Sequence, residues 1–154
     1  MRDALLALND ATLLFCVSMY LGTGWSLVLF SFPSRPSLTV SNYYDQFVPQ
    51  VTRATRFFTV MTMVMIATAV VMLISEIRTA YVIAPIVVLA GVLVATGLTV
   101  KFILPLNRRM AAHLTDPDEL GSVLDRWMRL NWVRVLLWTV QWSAMAAYFA
   151  VKSR

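Results

Sequence analysis

Four long apolar runs, at residues 11–32, 57–75, 81–104 and 132–151, alternate with segments where charges, prolines and amides collect. Each run is about 20 residues, the length that crosses ~30 Å of hydrocarbon at ~1.5 Å per helical residue. A backbone in lipid has to pair its own N–H and C=O groups, so the runs predict helices. The expected architecture is all-α, an integral membrane four-helix bundle forming a single domain over residues 1–154. The first run exceeds a secretory signal core and no small-residue cleavage site follows it, so it is expected to persist as a span. Four spans put both termini on one side and the segments 33–56 and 105–131 together on the other.

Local signals refine the elements. Gly22-Thr23-Gly24 in the first run lets a neighbouring backbone approach or opens room for a ligand, and Gly91 with Ala95 in the third is a small-x-x-x-small packing pair. Pro85 lies where a helix start tolerates it, whereas Pro105 is expected to end or kink the third helix at Leu104. Asp116, Pro117 and Glu119 form a helix start of the capping-box kind. A helix begun there and carried through the fourth run would span about 35 residues, on the order of 50 Å. Ser41 to Val48, with Tyr43, Tyr44 and Phe47, predicts a short interfacial helix, either a lid over the bundle or an aromatic anchor at headgroup level.

Composition supports lipid as the solvent. The chain is 59% hydrophobic and 14% charged, with a mean hydropathy of +0.71. A soluble domain of this length could not hide that much apolar surface. Thirteen basic against eight acidic residues give a net charge of +5, which membrane lipids with anionic headgroups account for without any nucleic acid. Arg2, Arg78, Lys152 and Arg154 fall on the terminus side, against Arg35, Arg53, Arg56, Lys101, Arg108, Arg109, Arg126 and Arg129 opposite. The excess places the two long segments in the cytoplasm, and the bacterial inner membrane is the expected location. One cysteine, Cys16, and one histidine, His113, exclude an internal disulfide and make a His/Cys metal site unexpected. No metal or redox cofactor is expected.

The candidate chemistry lies on one face of the last helix. Trp127, Asn131 and Arg134 follow an i, i+4, i+7 spacing that continues to Trp138, Gln141 and Met145. An arginine inside a span costs at least ~2.5–3.5 kcal/mol unless it snorkels or faces the bundle interior. Arg134 would sit about 10 Å deeper than Trp127. Gln141 is deep enough that its amide should find an internal partner. Cationic and amide donors above an aromatic, Met-lined interior suit a flat lipophilic molecule with oxygens along one edge, such as a quinone or polycyclic phenol. Tyr20 and Trp25 flank the first helix's glycines and join Trp127, Trp138 and Gln141 as lining residues. His113 is the only group titrating near neutrality and hence the natural base, with Asp45 and Asp125 as alternatives.

The stretch Leu104-Pro105-Leu106-Asn107-Arg108-Arg109, followed by Trp127-x3-Asn131-x2-Arg134, resembles the anthrone oxygenase-like family of small four-helix membrane proteins. Pro105 and Asn107 match its Pro-x-Asn element, and Trp127, Asn131 and Arg134 match its Trp-x3-(His or Asn)-x2-Arg element. The resemblance implies conversion of an anthrone to an anthraquinone by oxygen with no evident metal. Arg134 and Asn131 would then hold the enolate oxygen, Asn107 would assist, and His113 or Asp45 would accept the proton. Asn131 in place of a histidine removes one base. The alternative is a non-catalytic accessory subunit of a larger membrane complex, respiratory or photosynthetic, or a self-associating protein. A transporter is less expected, because four spans without an inverted repeat are few for alternating access.

Overall fold

The computed structural model describes residues 1–152, and Arg154 lies outside them. Five helices build the chain: α1 (Arg2–Ser26), α2 (Tyr43–Glu76), α3 (Ile83–Leu98), α4 (Leu104–Ala111) and α5 (Pro117–Lys152). No strand occurs among the described residues. Short irregular turns prolong two of these helices. A π turn at Leu27–Ser31 and a 3-10 turn at Phe32–Ser37 extend α1, and a π turn at Thr99–Ile103 joins α3 to α4. Three rods therefore have the length and apolarity to cross a membrane: Arg2–Ser37, Tyr43–Glu76 and Ala80–Ala111. With α5 they form an all-α four-helix bundle.

The rods close into a ring, with α1 and α3 each packed between α2 and α5. Neighbours run antiparallel. Asn9 reaches the Thr68 carbonyl at 3.0 Å and Tyr20 the Phe58 carbonyl at 2.9 Å across α1 and α2. Both described termini thus lie at one end, and the 38–42 and 112–116 connections at the other.

Burial is inverted relative to a soluble bundle. On α5, Asn131 and Gln141 are 2% and 1% exposed, while Leu136 and Val140 on the outer face are 56% and 58% exposed. Water would reverse that choice; hydrocarbon favours it, because the amides would go unsolvated there while the aliphatic side chains lose nothing. The chain is a membrane protein on this evidence. α5 carries more polar residues than the three rods, and it turns them inward.

The helices overrun the predicted apolar runs because hydropathy marks the part of a helix suited to lipid, not the whole helix. Residues 41–48 form no separate interfacial helix: α2 starts at Tyr43 and continues through Pro49 to Glu76. Nor does Pro105 end its rod. A proline lacks a donor for the carbonyl four residues back, here Lys101, and its ring crowds that carbonyl. Lys101 lies in the π turn, whose wider winding absorbs the mismatch. Pro33 and the preceding π turn repeat the arrangement at the end of α1. Asp116 caps α5, accepting from the Asp118 N–H at 3.0 Å, while Glu119 pairs with Arg109 instead of closing a capping box.

Packing separates the glycines. A Cβ on Gly24 would lie 2.7 Å from the Trp138 ring, so α1 and α5 touch closely there. A Cβ on Gly91 would lie 2.4 Å from the Gln141 amide, so α3 makes room for that side chain. Gly22 faces open space and makes no such contact.

Candidate functional site

Four side chains form a hydrogen-bonded line down the inner face of α5. The Trp127 indole N–H donates to Asn107 Oδ1 at 2.9 Å, crossing from α5 to α4. Asn131 Nδ2 donates to the Trp127 carbonyl at 2.9 Å, and Arg134 Nη1 donates to Asn131 Oδ1 at 3.0 Å. The Arg134 guanidinium then lies 4.5 Å from the Trp138 ring centroid, a cation–π distance. Its Nε is buried without a hydrogen-bond partner. The helical spacing therefore does what it predicted, placing Trp127, Asn131, Arg134 and Trp138 in one interior line.

Tyr20 joins this line from α1. Its ring stands 5.0 Å from Trp138 and 4.7 Å from Phe58, and its hydroxyl bonds the Phe58 carbonyl and Thr62. Trp25 does not join it. It turns to Thr139, with its indole nitrogen 3.1 Å from Oγ1, and meets Trp132 edge-on at 5.9 Å. Gln141 is buried on the stripe, but neither its nitrogen nor its oxygen finds the internal partner expected of it. Its neighbour there is the bare backbone of Gly91.

The candidate bases stand elsewhere. His113 is exposed, adopts φ 55°, and stacks on Tyr44 at 3.4 Å between centroids. It precedes α5, whereas Arg134 lies 17 residues into that helix, about 25 Å along its axis. The two cannot act on the same atom in this arrangement. Asp45 is exposed in the first turn of α2, and Asp125 is held by Arg35 at 2.9 Å.

A cleft of about 290 Å³ opens between α2 and α4 beside the line. Phe47, Val51, Leu104 and Met110 provide its apolar walls, and Arg56, Asn107 and Arg108 its polar edge. Phe47 also packs edge-on against Trp127 at 4.9 Å, so that indole closes the space behind it. Because Asn107 Oδ1 accepts the indole N–H, its amide is fixed with nitrogen as the free donor, and that nitrogen makes no hydrogen bond within the described residues.

A second polar centre sits at the opposite end, where sequence reasoning had assigned no site. Asp10 and Glu76 are buried, and the Tyr148 hydroxyl lies 2.7 Å from Asp10 Oδ2 and 3.0 Å from Glu76 Oε1. Lys152 donates to Glu76 and to the Tyr148 hydroxyl and lies 3.8 Å from Asp10. Thr79 completes Glu76 from the following turn at 2.7 Å. The signal was present, since the α5 stripe continued by the same step reaches Tyr148 and Lys152.

No protein-family model, curated protein or solved structure matches the chain. The likeness to the anthrone oxygenase-like family therefore rests on the α4 and α5 residues themselves.

Proposed function

We propose that the protein binds a lipophilic, quinone-like or polycyclic aromatic molecule in the cleft between α2 and α4. The orientation of Asn107 carries this reading. Its oxygen is occupied by Trp127, so the group it offers the cleft is an N–H donor, matched to a carbonyl or phenolic oxygen on the guest. Apolar walls take the rings, and the volume lies near the lower end of small-molecule sites, ~300 Å³. Trp127, Asn131 and Arg134 hold the donor in place from behind rather than touching the guest.

An anthrone-type oxygenation is the narrower form of the same proposal. It needs a proton acceptor, and the residues lining the cleft include no carboxylate or imidazole. Binding is therefore the activity best supported, with oxygen chemistry limited to a guest that arrives already deprotonated.

The test is titration of 2-methyl-1,4-naphthoquinone into the protein in lipid nanodiscs, read by quenching of tryptophan fluorescence. Saturable binding is expected, weakened about tenfold by Asn107→Leu, the equivalent of one hydrogen bond of ~1.5 kcal/mol. Val51→Trp, which fills the cleft, is expected to abolish it. Quenching that fails to saturate, or that ignores both substitutions, would remove the proposal.

A further inference from the structure

We infer that the cleft between α2 and α4 selects an anion: a compact lipophilic acid whose ionised oxygens sit between Arg56 and Arg108. The inference rests on the binding proposed above and specifies the ligand's charge. Arginines at this end divide into two kinds. Arg35 is neutralised by Asp125 and Arg109 by Glu119. Arg56 from α2 and Arg108 from α4 line the cleft, and neither has a carboxylate partner among the described residues.

The remaining polar groups point the same way. Thr52 and Thr55 spend their hydroxyl protons on the Val48 and Val51 carbonyls of their own helix. What remains to bind a guest is two guanidinium groups and the Asn107 N–H, all donors. Two like charges lining one cleft beside apolar walls repel each other, and an anion between them converts that repulsion into two charge-assisted hydrogen bonds. Arginine suits the role because its planar fork matches a carboxylate or phenolate edge. The cleft's size decides the source of the anion: about 290 Å³ accommodates a compact ring system, not the two acyl chains of a phospholipid.

The experiment compares 9-anthracenecarboxylate with 9-anthracenemethanol, the same rings with and without charge, in nanodiscs of zwitterionic phosphatidylcholine. Wild type should bind the acid at least about tenfold more tightly. Arg56→Gln/Arg108→Gln should bring the two probes to parity while still binding the alcohol, which shows that the bundle remains folded. Arg53→Gln/Arg126→Gln, two arginines outside the cleft lining, should keep the preference. Equal binding of both probes to wild type would overturn the inference and leave the lipophile site standing; binding of neither would remove both. Displacement of the acid when phosphatidylglycerol replaces the lipid would assign the arginines to lipid headgroups and overturn it as well.

Discussion

The two ends of the bundle solve the problem of polar groups in a membrane protein in opposite ways. At the terminus end, Asp10, Glu76, Tyr148 and Lys152 converge from three helices and satisfy one another. At the other end, Arg35 and Arg109 are paired at the surface, while Arg56, Arg108 and the Asn107 nitrogen face a cleft without partners. One end is a closed clasp holding α1, α2 and α5 together. The other keeps open donor capacity, which makes sense only if something else fills it. A charge cluster deep in a bundle is thus a poor guide to function by itself; what distinguishes a site is capacity left unspent.

Breaking the clasp should have the largest effect. Tyr148→Phe removes the hydroxyl between two buried carboxylates and should cost about 1.5–3 kcal/mol in reversible unfolding from mixed micelles. A loss below a few tenths would show that the clasp does not hold the helices. Next comes the close approach of α1 and α5. Gly24→Ala should lose about 1–3 kcal/mol through its overlap with Trp138, whereas Gly22→Ala, facing open space, should stay within about 0.5 kcal/mol. Equal effects would contradict the packing described. Gln141→Leu addresses the middle of the stripe. Deleting an unpartnered buried amide should leave stability unchanged or raise it by about 1 kcal/mol. A clear loss would reveal a hydrogen bond that Gln141 makes in the membrane. The smallest effect belongs to Glu119→Gln, which opens an exposed pair and should change stability by less than about 1 kcal/mol in the same assay.

How far the sequence could be read differs along the same lines. The bundle, the antiparallel order and the α5 stripe were legible because lipid length and a 3.6-residue period leave few alternatives. The cap at Asp116 was legible for the same local reason. The clasp was not singled out, because Asp10 and Glu76 come from the margins of two apolar runs and acquire meaning only when α5 brings Tyr148 and Lys152 between them. His113 looked like a base by chemical type, but type says nothing about the length of α5 that separates it from Arg134. Arg56 and Arg108 looked like interfacial anchors, since a count of charges cannot tell a paired arginine from an unpaired one.

The π turn before Pro105 bears on how this cleft could be gained or lost. Each residue added to a helix rotates everything beyond it by about 100°. Deleting one residue between Thr99 and Ile103 would leave hydropathy and charge almost unaltered, yet rewind the turn as an ordinary α turn. Asn107 would swing away from Trp127 and Arg108 away from Arg56. Ligand recognition at this end is therefore a matter of phase, set by the length of one segment rather than by the identity of the residues that do the binding. Two chains with the same motif but a different count between Ala95 and Pro105 should not share a ligand.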